Sequence, residues 1–434
     1  MSKLEHKTLA HLTLGCKVNM YDTSAMVEIL QNHGVHAIDF ESKADIYIIN
    51  TCTVTNLGDK KSRQAIRKAT KLNPDAIVVV CGCYSQTHPE AVKAIEGVDI
   101  VLGTKDRMKI AEFIIQYLES KEQQSFVGSV NDAAEFEELN INDAQGTRAY
   151  IKIQEGCDNY CSYCIIPYAR GSVRSRDFKN ILEEAARLSE TGVKEIVLTG
   201  INIGSYGKDK ANGLNLSKLI RALHEIQGIM RIRLGSVDPI AITDEFLETL
   251  KDCCKLCAHL HLSLQSGCDK ILSAMNRRYS TSEYRKTVTN LRAIRPNIGI
   301  TTDIIVGFPG ESDDDFAQSY EFAKNMAFSK IHVFPYSPKA GTKAAGMGNH
   351  ISSQVKNSRA KAMSELGSEL CEEFAKKFEN TKLSVLFEHE IGNNIFEGYS
   401  DNYIIVRQNS DADLKNQVLE VECVYDGEGR LRGV

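Results

Sequence analysis

The chain has 434 residues, 42% of them hydrophobic, with no tryptophan, 13 cysteines and a net charge of −5. That length implies two to four domains with sizeable cores. No apolar run approaches the ~20 residues a membrane helix needs, and the N-terminus lacks a signal peptide's apolar core. The cysteines are therefore expected in a reducing cytoplasm, bound to metal or as thiols, rather than in a disulfide framework.

The first part alternates strand-like runs (11–16, 46–52, 76–83, 98–104) with helical patterns (20–33, 58–72, 89–95, 107–118). This predicts an α/β domain over residues 1–120, a parallel sheet with helices on both faces. Cys16, Cys52 and Cys83 close the first three runs. Strand C-termini of a parallel sheet converge on one crevice, so three thiols distant in sequence are expected to meet there. They could hold an iron–sulfur cluster with one open iron; simple burial in strands is the alternative for each alone. The pattern at 58–72 is basic, with Lys60, Arg63, Arg67 and Lys71 at i, i+3, i+7 and i+11. Such a face either positions phosphates or is merely solvated. A polar, acidic linker follows over 121–147.

The second part repeats a βα unit six times, with strand-like runs at 149–154, 195–200, 231–236, 259–265, 299–306 and 330–336. A partial, open (β/α)6 barrel is expected over 148–380, ending in a long helix at 353–379. Ligands of such barrels sit at the C-terminal strand ends. After the first run comes Cys157-Asp158-Asn159-Tyr160-Cys161-Ser162-Tyr163-Cys164. This C-x3-C-x2-C loop can hold three irons of a [4Fe–4S] cube. Cubanes normally take four thiolates, so the fourth iron is open to an exchangeable ligand, the role of S-adenosylmethionine (SAM) in radical enzymes. A zinc site would want a second ligand pair, and none follows at suitable spacing. Arg170, Arg174 and Arg176 lie just beyond and are candidate phosphate contacts. Cys253, Cys254 and Cys257 contain a two-ligand fragment near a helix end, expected to be incidental thiols; Cys371 and Cys423 have no partner pattern.

The last part changes period. Short alternating runs at 383–387, 403–406 and 418–424, joined by Gly, Asn and Asp turns, predict a small antiparallel β-barrel or sandwich over 381–434. Residues 382–434 carry 5 Lys+Arg against 10 Asp+Glu, so the whole net charge of the chain resides there.

Several segments together resemble the radical-SAM methylthiotransferases over nearly the whole chain. They are Gly15-Cys16-Lys17-Val18-Asn19, Asn50-Thr51-Cys52-Thr53-Val54, Gly82-Cys83-Tyr84, the Cys157/Cys161/Cys164 loop and Ile166-Pro167-Tyr168-Ala169-Arg170-Gly171. His259-Leu260-His261-Leu262, Gln265-Ser266-Gly267 and Gly307-Phe308-Pro309-Gly310-Glu311 complete the set. The terminal barrel resembles the family's TRAM domain, an OB-like module that binds tRNA. The first motif, Cys52-Thr53-Val54-Thr55-Asn56 and Met275-Asn276-Arg277-Arg278-Tyr279 resemble the branch acting on N6-threonylcarbamoyladenosine beside the anticodon. The isopentenyladenosine and ribosomal-protein branches are the alternatives. Ser263, Cys268 and Asp238 depart from the usual Pro, Ser and Glu, and none is an expected cluster ligand. The acidic terminal segment is at odds with tRNA-binding modules, which are usually basic.

The resemblance implies methylthio insertion at adenine C2 by a radical route, with two SAM and two [4Fe–4S] clusters. One cluster would sit on Cys157, Cys161 and Cys164, the other on Cys16, Cys52 and Cys83. Expected SAM contacts at the barrel's strand ends are Gly200, Asn202, Ser236, Gln265, Asp303 and Gly307, with Tyr163 stacking on adenine; each could instead cap a turn or pack. Arg278 is a candidate partner for the threonyl carboxylate. His259 and His261 are expected in packed or hydrogen-bonded roles. Expected partners are the tRNA anticodon stem-loop and an electron donor such as flavodoxin or ferredoxin, with no membrane and a monomeric state. A non-catalytic iron–sulfur electron carrier or RNA-binding protein is the reading from another class.

Overall fold

The computed structural model describes residues 3–132, 135–142 and 146–434. Strands Ile46–Thr51 and Ile77–Gly82 are buried at every position, as central strands covered on both faces must be. They lie in a six-stranded parallel sheet in the order His36–Ile38, Thr8–Thr13, Ile46–Thr51, Ile77–Gly82, Ile100–Leu102, Gln124–Phe126. Alternate side chains go to opposite faces. Ile46, Ile48 and Val79 join one core with Met26 and Leu30 of helix Lys17–Gln31 and Ile114 of Ile110–Ser120. Tyr47, Ile49 and Val80 join another with Ile66 and Ala69 of helix Asn56–Leu72.

Two details correct the expected pattern. The first strand ends at Thr13, so Cys16 does not close it; it stands at the N-cap of Lys17–Gln31. The span expected as linker contains strand Gln124–Phe126 and the short helix Val130–Asp132. Its residues 133–134 and 143–145 lie outside the described residues.

The chain divides into two compact units. The first comprises Met1–Ile141, Lys152–Asp177 and Ser337–Ala345; the second comprises Asn142–Ile151, Phe178–Tyr336 and Gly346–Val434. Strand Arg148–Glu155 carries the chain from one to the other. In the second unit, Glu195–Gly200 pairs in parallel with Arg231–Leu234. A further parallel sheet runs Ser236–Val237, His259–Leu262, Gly299–Val306, Lys330–Pro335. Helices Leu216–His224, Asp244–Asp252, Thr281–Ile294 and Asp313–Met326 alternate with these strands. The expected strand 231–236 is thus two strands interrupted at Gly235, and 259–265 stops at Leu262.

After helix Ser353–Lys376, five strands close a barrel in the order Thr381–Glu390, Ile395–Ser400, Ile405–Asn409, Arg430–Gly433, Val418–Gly427. Val385, Phe387, Val406, Cys423 and Leu431 fill it. Among the described residues no helix is long and apolar enough to cross a membrane.

Candidate active site

The order of the six-stranded sheet reverses at Thr8–Thr13, and ligands of open α/β sheets bind at such a switch point. Cys52 follows the neighbouring strand directly, and Cys83 opens the short helix Cys83–Thr87 after the next. The loops carrying Cys16 and Cys52 touch: a Cβ on Gly15 would stand 3.0 Å from Cys52 Cβ and 3.1 Å from its sulfur. Asn19 fastens them, its Nδ2 donating to Leu14 O (2.7 Å) and Thr51 O (3.1 Å). The Thr51 hydroxyl donates to Cys81 O at 2.6 Å, fixing the third strand end. The structure thus brings the loop of Cys16 against Cys52, with Cys83 at the end of the next strand of the sheet. Burial pushes the Cys52 thiol up to about 11, opposed by the Val54 N–H and Arg170 and aided by Cys83 and Cys16. Burial also raises Cys83, and Arg170 opposes it.

Beneath these thiols lies a buried ionic network that sequence reasoning missed. Asp22, Arg107, Lys152, Glu155 and Arg170 are each at most 2% exposed. Lys152 Nζ bonds Asp22 (2.8 Å) and Glu155 (2.9 Å), and Arg107 bonds Asp22 and Glu155. Arg170 bonds Glu155 and Asp22, donates Nη2–H to Asn19 Oδ1 at 2.6 Å, and points Nε at Cys83 Sγ, 3.3 Å away. Lys152 in the middle of Ala149-Tyr150-Ile151-Lys152-Ile153-Gln154 was the available signal. Burial alone would raise Asp22 and Glu155, but Arg107, Lys152 and Arg170 outweigh it and hold both carboxyls low.

The Cys157–Cys164 loop follows strand Arg148–Glu155 in the first unit. Its three cysteines are half-buried, and no cysteine of the chain is in a disulfide. Cys157 N–H donates to Gly171 O (2.9 Å) and Cys164 N–H to Cys161 O (2.9 Å). Ile166 N–H points at Cys164 Sγ, 3.4 Å away, the kind of second-sphere donor that stabilises a thiolate ligand. Tyr163 is half-buried within the loop.

Among the described residues no three His, Cys, Asp or Glu side chains converge on a single ion. A cubane takes one thiolate per iron, so its ligands stand on separate metal atoms. Three thiols with an N–H directed at sulfur recur in both places, and that donor chemistry fits [4Fe–4S] clusters.

In the second unit the expected SAM contacts lie within or beside the parallel strands. Gly200 ends its strand and Ser236, exposed, begins the next sheet. Gln265 adopts φ +70° and its N–H donates to Asp303 O at 2.8 Å. The Asp303 carboxylate lies 3.2 Å from His261 Nε2. Gly307 N–H donates to Glu311 (2.6 Å), which Arg359 clamps at 2.6 Å. Asn202 precedes the short helix Ile203–Ser205, its carbonyl accepting from Ser205 N–H (2.8 Å). His259 stacks on Tyr403 with centroids 4.5 Å apart and bonds Thr301, in line with a packed role.

The phosphate candidates separate sharply. Arg170, Arg174 and Arg176 are 0, 5 and 1% exposed, contrary to expectation. Arg174 donates to Arg170 O, and Arg176 to Tyr21, Glu138 and Asn140. Lys60, Arg67 and Lys71 are exposed, whereas Arg63 is half-buried and donates to the Tyr84 hydroxyl at 3.1 Å. Arg278 is exposed. Cys253 and Cys257 are buried, and burial pushes Cys257 up to about 12 and Cys423 up to about 11.

Residues 8–103 match the Uncharacterized protein family UPF0004, and residues 151–323 match the Radical SAM superfamily. The chain is 43% identical over 426 residues to the threonylcarbamoyladenosine tRNA methylthiotransferase MtaB of Bacillus subtilis (strain 168), covering 97% of this chain and 94% of that protein. MtaB of Aquifex aeolicus (strain VF5) is 39% identical, covering 92% and 96%. The tRNA-2-methylthio-N(6)-dimethylallyladenosine synthase of Clostridium tetani (strain Massachusetts / E88) is 34% identical, covering 94% and 92%. The radical S-adenosylmethionine methyltransferase TsrM from Kitasatospora setae shares the fold at 14% identity, with a TM-score of 0.58 over 76% of this chain and 75% of that one. The superfamily match assigns SAM and a [4Fe–4S] cluster as cofactors. The chain is an enzyme and belongs to the radical-SAM methylthiotransferase family, in its MtaB-like branch.

Proposed function

We propose that this enzyme adds a methylthio group at C2 of N6-threonylcarbamoyladenosine beside the anticodon of tRNA, giving 2-methylthio-N6-threonylcarbamoyladenosine. The observation that carries this is the 43% full-length identity to an MtaB, against 34% at similar coverage to a dimethylallyladenosine synthase. The adenine C2–H resists removal by side-chain bases at neutral pH, so cofactors carry the hard step and the protein positions and shields it.

Cys157, Cys161 and Cys164 would hold the radical-SAM cluster, and Cys16, Cys52 and Cys83 a second. Bound there, the clusters would supply one-electron cleavage of SAM and sulfur for transfer. Burial favours the protonated thiols of Cys52 and Cys83, so cluster binding there would release protons. Gly200, Asn202, Ser236, Gln265, Asp303 and Gly307 would contact SAM, and Tyr163 its adenine. Lys60, Arg67 and Lys71 would position phosphates of the anticodon stem-loop, and Arg278 the threonyl carboxylate. Residues 1–120 would form the sulfur-transfer domain, 121–147 a linker, 148–380 the radical domain and 381–434 the TRAM-like module. Flavodoxin or ferredoxin would supply electrons to a cytoplasmic monomer.

The test is mass spectrometry of tRNA nucleosides from cells lacking the protein and from complemented cells. Restoration of 2-methylthio-N6-threonylcarbamoyladenosine is expected. Restoration of the methylthio-isopentenyl form would overturn the substrate and keep the chemistry. No nucleoside change would move the substrate to protein. Iron and sulfide analysis after anaerobic reconstitution should give two clusters per chain; one would sink the two-cluster scheme.

A further inference from the structure

We propose that Arg170 is a positioning residue for the cluster on Cys16, Cys52 and Cys83, donating Nε–H to the Cys83 ligand and raising that cluster's reduction potential. The inference rests on the two-cluster reading above. In sequence Arg170 belongs to the segment after the radical-SAM cysteines, six residues beyond Cys164. In space its side chain serves the other thiol set.

The geometry leaves it little choice. Nη1 is held by Glu155 and Asp22, and Nη2 by Asn19 Oδ1 at 2.6 Å and Asp22 at 3.3 Å. With both ends of the planar fork fixed, the direction of Nε–H is fixed too, and it meets Cys83 Sγ at 3.3 Å. Asn19, which accepts from Nη2, is the residue that also ties the Cys16 and Cys52 loops together. One side chain thus links the guanidinium to the frame of the thiol crevice.

The charge count points the same way. Four buried cations, Arg107, Lys152, Arg170 and Arg174, face two buried carboxylates, Asp22 and Glu155; Glu137 reaches Arg107 from a half-exposed position. Arg170 is the cation that abuts sulfur. A fully buried positive charge acts through a low dielectric. Hydrogen bonds to ligand sulfurs and local charge set iron–sulfur potentials. Reduction adds negative charge, which Arg170 stabilises, so it raises the potential. Lysine cannot reproduce this, because it lacks the rigid fork that aims Nε.

The test is redox titration of reconstituted Arg170→Gln and Arg170→Lys, following each cluster by electron paramagnetic resonance, with iron and sulfide counted. Both variants should retain two clusters. The N-terminal cluster should become harder to reduce by about tenfold, ~59 mV for a one-electron couple, more in Arg170→Gln than in Arg170→Lys. The Cys157/Cys161/Cys164 cluster should keep its potential. Arg170→Lys preserves the buried charge and remains readable should Arg170→Gln fail to fold. Two clusters with unmoved potentials would overturn the inference alone, as would an equal shift of both clusters. A single cluster in the wild type would remove the two-cluster reading, and the inference with it.

Discussion

Asp22 is surrounded by Arg107, Lys152 and Arg170 and is 0% exposed. Removing one partner of a buried ion network leaves the others uncompensated, which costs about 3–5 kcal/mol. Asp22→Asn should therefore lower stability by that order at neutral pH, measured by denaturant unfolding. The folded carboxyls of Asp22 and Glu155 lie below their ordinary values because of those cations. Their stabilisation is complete above the unfolded carboxylate range, at about pH 4. It is lost as pH falls through the depressed folded values. The gap between wild type and Asp22→Asn should be constant near neutrality and shrink only in acid; a gap that closed between pH 6 and 8 would contradict this. The cysteines were legible in the sequence because cluster chemistry demands one residue type at fixed places. The network was not. Tyr150, Lys152 and Gln154 alternate with apolar neighbours as a solvent-facing edge would, yet Lys152 and Gln154 are fully buried. Alternation reports polarity, and here polarity faces other charges rather than water.

Helix Asn56–Leu72 shows what a period can reveal at the scale of an element. Thr55 caps it, accepting from Gly58 N–H at 3.1 Å, and Ala65, Ile66 and Ala69 turn inward. The outward face carries Lys60, Arg67 and Lys71, while Arg63 is committed to Tyr84. Charge reversal of those three should weaken tRNA binding and reduce the magnitude of its salt slope by about 2–3, one share per lost phosphate contact. Reductive SAM cleavage without tRNA should be unaffected. Unchanged affinity and slope would make the face merely solvated. This helix was readable because seventeen residues average over several turns. Strands His36–Ile38 and Gln124–Phe126 are three residues each, too short for alternation to register. Cys16 misplaced the first strand's end for a related reason: the turn Leu14–Gly15 continues the apolar run without continuing the ladder.

For the molecule as a whole the charge count is the feature most changed by the structure. The −5 of residues 382–434 equals that of the entire chain, and as a sequence it looks repulsive toward RNA. Within the second unit, part of that segment faces cations of the parallel strands instead. Arg148 bonds Glu388 at 2.7 Å, Arg231 donates to Tyr399 O (2.9 Å) and Ser384 O (2.7 Å), and Arg233 donates to Asp401 O at 3.1 Å. Tyr403 seals the junction, stacked on His259 at 4.5 Å and Tyr399 at 4.8 Å, with Arg233 4.7 Å from its ring. Glu195, buried, neutralises Arg233 from the other side. The ring therefore joins two aromatic stacks and two cation–π contacts, from Arg233 and Arg148, each worth about 0.5–1.5 kcal/mol. Tyr403→Ala should cost about 2 kcal/mol at this junction. Because the barrel has its own closed hydrogen-bond ladder and core, the loss should appear as local loosening rather than global unfolding. Hydrogen exchange should accelerate where strand Thr381–Glu390 and the turn at 400–404 meet Arg231 and Arg233, and not in the six-stranded sheet. Reductive SAM cleavage should persist, and tRNA affinity should fall on the proposed TRAM-like role of the barrel, which would no longer be held in one orientation. Unchanged exchange at the junction would mean that the three arginines dock the barrel without the ring.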